Sequence, residues 1–173
     1  SIITGGDITI SSPGAVDLGN SSAGGFVFVF GQSIAFANIN AAASVSLFAG
    51  GTAPGAEGIS GGAIDAGGDV RLNAAGNVTV SASAAGTYVD PNNGTSGDLY
   101  IDAGGNVTLS DGSAARMLGI NAGGSASVAT STAGEDVLVI AGTTASLNDV
   151  SAGDNVNVRA VGDIDAVNAR TTG

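Results

Sequence analysis

Five residues of this 173-residue chain bring a carboxylate or carboxamide to the same point of a recurring pattern: Asp7, Asp69, Asp98, Asp136 and Asn155. Two carboxylates held close together can ligate Ca²⁺ or share a proton. Asp69 and Asp98 fall in adjacent repeats, which would set them near strand spacing. The plainer chemistry is that of a turn residue whose side chain bonds the backbone at a corner. No companion ligands converge on the pair. The calcium-binding repeat GGxGxDx is not formed either, since Gly5-Gly6-Asp7 and Gly67-Gly68-Asp69 share only its opening. The turn role is the expectation, with no metal site, cofactor or catalytic residue assigned.

A second group is aromatic. Phe26, Phe28, Phe30 and Phe48, with Tyr88 and Tyr100, supply all but one of the seven aromatic side chains. If Val27 and Val29 point inward, Phe28 points outward and Phe26 and Phe30 flank it. Aromatics gathered on one surface mark a contact site. Alternatively, a long loop or neighbouring domain covers them, with Tyr88 taking part. Either way they are the candidate contact patch, and a surface glycan or protein is the partner such a patch would take.

The elements that would position these residues follow from a repeat. From Asp98 onward the chain divides into four lines of nineteen: DLYIDAGGNVTLSDGSAAR, MLGINAGGSASVATSTAGE, DVLVIAGTTASLNDVSAGD and NVNVRAVGDIDAVNARTTG. The second letters are Leu99, Leu118, Val137 and Val156. The fourth are Ile101, Ile120, Val139 and Val158. The sixth is Ala each time, at 103, 122, 141 and 160. The tenth are Val107, Ala126, Ala145 and Ile164, and the twelfth Leu109, Val128, Leu147 and Ala166. A fixed period near twenty residues is the signature of a solenoid. Alternation with period two at positions two and four, and again at ten and twelve, predicts two short strands with one face inward. Ala-Gly-Gly between them suits a sharp corner, because Gly accepts positive φ. Each line is then one coil of a parallel β-helix, paired with the next at about 4.8 Å. Coils hold because like positions stack into continuous apolar columns.

The same grid fits the earlier chain. Coils start at Asp7, Phe26, Ser44, Asp69, Asp98, Met117, Asp136 and Asn155, preceded by the last third of another. Eight coils give a stack roughly 35–40 Å long. The Phe26 coil is one residue short, with the deletion expected at Gly31-Gln32. Residues 52–62 break the pattern and are expected to replace a second strand, and residues 87–97 form a Pro/Asn/Gly-rich surface loop. A weak third wall runs through Ile2, Ile39, Ile64 and Val150, filled elsewhere by Ser21, Ser83, Gly112, Ser131 and Ala169. Gln32 to Ala49 could be drawn as a helix, but its alternation favours strands.

Several functions are excluded by residue type. There is no Cys, no His and no Lys, and the four cations are Arg71, Arg116, Arg159 and Arg170. Disulfides, Cys/His zinc sites, a His base and a P-loop are thereby removed. The net charge of −11 repels nucleic acid and anionic membranes. No apolar run approaches the ~18 residues needed to cross a bilayer. A polysaccharide lyase or hydrolase built on a β-helix needs clustered outward acids. The outward eleventh column reads Asp17, Ala35, Thr79, Thr108, Ser127, Ser146, Asp165, with its two acids at opposite ends. Thr79 and Thr108 alone do not make an ice-binding ladder. Asn20, Asn77, Asn93 and Asn106 begin N-x-[ST] acceptors, a pattern that arises by chance in such a composition.

The A-G-G-[DN]-[VI]-x-[LV] units, as in Ala66 to Leu72 and Ala103 to Leu109, and the nineteen-residue coil resemble filamentous haemagglutinin-type bacterial exoproteins. These are large secreted adhesins of Gram-negative bacteria, including two-partner-secretion and contact-dependent-inhibition stalks. The resemblance spans nearly the whole chain. It implies an all-β fold, a right-handed parallel β-helix, secretion to the cell surface, and a non-enzymatic role as the shaft of an adhesin or fibre. Further coils, or like subunits stacked end to end, are the expected neighbours at either end. A self-stacking filament subunit and a carbohydrate-binding or carbohydrate-active β-helix are the competing expectations.

Overall fold

The computed structural model describes residues 1–50, 58–90 and 94–172. Every described element is a strand, and all but one two-stranded hairpin form a parallel β-solenoid of about eight turns. One wall is an eight-stranded parallel sheet of short strands, one per coil: Ile8–Ser11, Val27–Gly31, Val45–Ala49, Val70–Ala74, Leu99–Ala103, Leu118–Ala122, Asp136–Ala141 and Asn155–Ala160. The register keeps like positions together, so Val70 pairs with Leu99, Leu99 with Leu118, Leu118 with Val137 and Val137 with Val156.

The other wall is a single sheet rather than two. The expected second and third walls are one continuous strand in most coils, as in Ile34–Ala41, Val107–Ala114, Ala126–Ala133 and Ala145–Ala152. Two consecutive outward residues, such as Ser110 and Asp111, bend the strand while its hydrogen bonds run on. Val107, Ala126, Ala145 and Ile164 are successive vertical partners. Of the expected third wall, Ile39, Ile64, Val150, Ser21 and Ser131 do turn inward, whereas Ile2 is half-buried and Ala169 exposed.

Two differences from the expected grid concern insertions and deletions. Residues 51–57 lie outside the described residues, but from Ile59 the chain is on the grid. Ile59 pairs with Ile34 and Val78. The second strand is therefore present, not replaced across 52–62. It was disguised because Gly61 occupies an inward position. A Cβ there would lie 2.3 Å from the ring of Phe36 in the neighbouring coil. The large ring fills two levels, so the level beside it holds no side chain. In the next coil the third-wall residue is Ala82, not Ser83. Ala82 pairs with Ile64 and Gly112, because the register shifts by one between Val80 and Ala82. The shortened Phe26 coil loses its residue where expected. Ser11 pairs with Phe30, yet the N–H of Gln32 already donates to Gly14 O at 2.9 Å.

The 87–97 insertion is an antiparallel hairpin, Val89–Asp90 against Gly94–Thr95. At its neck Gly86 and Gly97 have φ of +67° and +114°, which L side chains rarely adopt. A Cβ on Gly97 would also meet Gly86 Cα at 2.9 Å.

The corner glycines work differently from expectation. Among the described residues, the glycines of the Ala-Gly-Gly corners are not at positive φ. They permit close approach between coils. A Cβ on Gly123 would lie 2.3 Å from Gly104 O, and one on Gly142 would lie 2.0 Å from Gly123 O. Ala fills the inward corner before them. A second column of small corner residues, Ala41, Ala66, Ala84, Ala114, Ala133 and Ala152, closes the other end of each coil.

Candidate functional site

The Asp/Asn column has a clear structural occupation. Asp7 Oδ1 accepts the N–H of Phe26 at 2.8 Å, and Asp98 Oδ1 accepts the N–H of Met117 at 3.2 Å. Asp69 Oδ1 accepts both Gly97 N–H at 2.8 Å and Asp98 N–H at 3.1 Å. Asn155 Nδ2 donates to Asp136 Oδ1 at 2.8 Å. Asp7, Asp69 and Asp98 do bond backbone at a corner, but at the step into the following coil rather than within their own turn, whereas Asp136 is bonded by the Asn155 side chain. Asp69 and Asp98 are thus consecutive rungs, each carboxylate committed to N–H donors above it. Arg116 lies beside this column, with Nε 3.9 Å from Asp98 and 3.6 Å from Glu135. Among the described residues no three Asp, Glu, His or Cys gather as a metal-ligand group.

A parallel ladder at the ninth position was not expected. Asn77 Oδ1 accepts Asn106 N–H at 2.7 Å, and Asn106 Oδ1 accepts Ser125 N–H at 2.8 Å. It explains the second glycine of the motif. A Cβ on Gly105 would lie 2.3 Å from Asn77 Oδ1, and one on Gly124 would lie 2.2 Å from Asn106 Oδ1. The first glycine clears the carbonyl of the preceding coil, the second clears its carboxamide, and the Asn or Asp holds the next. Asn77 and Asn106, two of the N-x-[ST] positions, are therefore engaged. Asn20 accepts from Asn38 Nδ2 at 2.9 Å, and Asn93 lies outside the described residues.

The outward eleventh column runs from Asp17 through Ala35, Ser60, Thr79, Thr108, Ser127 and Ser146 to Asp165. Ser60 joins it because Ile59 is on the grid. Its acids remain at opposite ends.

The aromatic side chains do share one surface, the outer face of the short-strand sheet. Phe26, Phe28, Phe30 and Tyr100 are 40, 43, 47 and 37% exposed. Phe48 and Tyr88 are half-buried. Two ring contacts organise the patch. Phe26 meets Tyr88 edge-on with centroids 5.4 Å apart, so the hairpin neck flanks it without covering it. Phe28 meets Phe48 at 5.6 Å. Such pairs contribute about 0.5–1.5 kcal/mol beyond their burial. Tyr100 stands in the Phe28 column, two coils past Phe48.

Between Phe48 and Ile140 the same face holds a groove of about 610 Å³, lined also by Arg71, Asn73, Tyr100, Asp102, Asn121 and Leu138. Sequence reasoning named only its two aromatic members. The rest occupy the third and fifth letters of the nineteen-residue lines, the positions between the inward ones. Reading those letters down the page would have found them. The Tyr100 hydroxyl donates to Met117 Sδ at 3.6 Å, and its ring leans over Gly119, where a Cβ would sit 2.7 Å from two ring carbons. Desolvation holds the Tyr100 phenol above its ordinary range and the Asp98 carboxylate adds to this, while Arg71 and Arg116 oppose it. The phenol is therefore neutral at physiological pH, able both to donate and to accept. Asp102 bridges two coils, accepting Asn73 Nδ2 at 3.3 Å on one oxygen and Asn121 Nδ2 at 2.9 Å on the other.

Comparison of the chain with protein-family models, curated proteins and solved structures finds no match.

Proposed function

We propose that this chain is a rigid, non-catalytic rod segment of a secreted, cell-surface adhesin or extracellular fibre. The observation that carries the reading is the unbroken vertical register. Eight short strands pair in parallel, and inward columns such as Val70, Leu99, Leu118 and Val137 run through them. A stack held by backbone ladders, aliphatic columns and inter-coil Asn/Asp rungs resists bending and transmits load along its axis. The resemblance of its Ala-Gly-Gly-[Asp/Asn] units to haemagglutinin-type exoproteins supports the surface setting. The second reading is a self-stacking filament subunit, in which the same ladders and columns continue from copy to copy.

Single-molecule pulling tests the mechanical role. Because the strands of each coil pair only with those of its neighbours, extension should proceed in steps of one coil, about 65 Å of contour for nineteen residues. Collapse in one event at low force would sink the rod reading. Antibody labelling of intact cells tests the location, and label restricted to lysed cells would overturn it. Filaments of the pure chain in negative-stain micrographs would favour the second reading.

A further inference from the structure

We propose that the groove on the outer face of the short-strand sheet binds an extended, neutral glycan chain. The proposal goes beyond the rod reading and does not depend on it. A groove of about 610 Å³ falls within the usual size of ligand sites. Its floor combines the two surfaces a pyranose requires. Phe48 and Tyr100 offer aromatic faces for the C–H faces of sugar rings, and Leu138 and Ile140 continue the apolar side. Beside them runs a row of polar planes, Asn73, Asp102 and Asn121, on three successive coils.

That row is held in place before any ligand arrives. The Asp102 carboxylate receives one N–H from each neighbouring carboxamide. Each Asn keeps a second N–H and an exposed carbonyl oxygen for a ligand. Vicinal hydroxyls, each both donor and acceptor, match such groups. The spacing of the row is one coil, about 4.8 Å, close to the advance per sugar of an extended polysaccharide. Consecutive sugars would therefore each meet one planar polar side chain of the row, a carboxamide at Asn73 and Asn121 and a carboxylate at Asp102. Tyr100 is fixed as well, by its hydroxyl on Met117 and its ring over Gly119. Immobilised contact groups lower the ordering cost of binding.

Charge selects the class of glycan. The protein carries −11 overall, and Asp102 lies in the groove itself, so sulfated or uronate chains meet repulsion that Arg71 alone does not offset. The same net charge opposes face-to-face pairing of two copies.

Titration calorimetry on the full chain tests this with cellohexaose, xylohexaose and a heparin-derived hexasaccharide. At least one neutral hexasaccharide should bind, and the heparin fragment should not. Tyr100→Ala should weaken binding about tenfold, and Asn121→Ala several-fold. Thr108→Ala, on the opposite sheet, should leave it unchanged. Circular dichroism confirms the fold of each variant. The proposal is overturned if neither neutral hexasaccharide binds at millimolar concentration, if Tyr100→Ala binds as well as the parent, or if the heparin fragment is preferred. Self-association of the chain that Tyr100→Ala abolishes would also overturn it, by assigning the face to a second copy.

Discussion

The backbone N–H of Asn106 donates to the side-chain oxygen of Asn77 at 2.7 Å, one coil away along the stack. Asn106 repeats the act toward Ser125 at 2.8 Å, and Gly124 leaves the space in which that carboxamide lies. Asn106→Ala should therefore cost about 1 kcal/mol in urea unfolding. Gly124→Ala should cost a similar amount or more by pushing the carboxamide off its donor. The two changes act on one contact, so the double variant should be little worse than Gly124→Ala alone. Full additivity would show that glycine and carboxamide are not coupled.

Phe36 and Gly61 share space across adjacent coils. Gly61→Val should destabilise by about 2 kcal/mol through overpacking against the ring. Adding Phe36→Val should recover much of that loss, because Val at both levels restores the packing used by Val80 and Leu109 in the same column. A double variant less stable than either single one would refute size compensation.

Ser131 is 1% exposed, and its hydroxyl is the one buried side-chain polar atom without a partner among the described residues. It pairs with Gly112 on one side and Val150 on the other. Ser131→Ala should raise stability by about 1 kcal/mol, read as a higher melting temperature. An unchanged or lower value would mean that the hydroxyl is satisfied.

Tyr100 gives a pH dependence of known sign. Its folded pKa lies above the ordinary 10.0, so the unfolded chain loses this proton first. The contribution of Tyr100 is fully present below pH 10 and is lost as pH rises through the folded value. Thermal melts from pH 9 to 11 should show a decline that Tyr100→Phe lessens. Parallel declines in the two proteins would remove Tyr100 as its source.

What could be read from the residues, and what could not, divides along one physical line. Positions that bury aliphatic side chains announce themselves by period, as Leu99, Leu118 and Val137 do, and they placed every short strand. Positions defined by what a neighbouring coil puts there are silent in one dimension. Gly61 reads as a broken pattern until Phe36 is seen beside it. Ala82 takes its place only because the register slips near Ser81. The Asp/Asn column at the head of the coils was recognised and the Asn ladder at the ninth position was not, because a turn residue bonding its own corner and a rung bonding the next coil share one spelling. The aromatic patch was legible from Phe26 to Phe30. The groove was not, because Asn73, Asp102 and Asn121 are ordinary outward polar residues until stacking aligns them.

The hairpin at 87–97 leaves the stack and rejoins it at one corner. Leu99 still pairs with Val70, and Ala114 with Ala84, as if nothing had intervened. Such a corner uncouples decoration from spine: mutation can lengthen, shorten or rewrite the appendage while selection on the stacked coils stays unchanged. A lineage built this way could vary its appendages freely without renegotiating how its coils stand on one another.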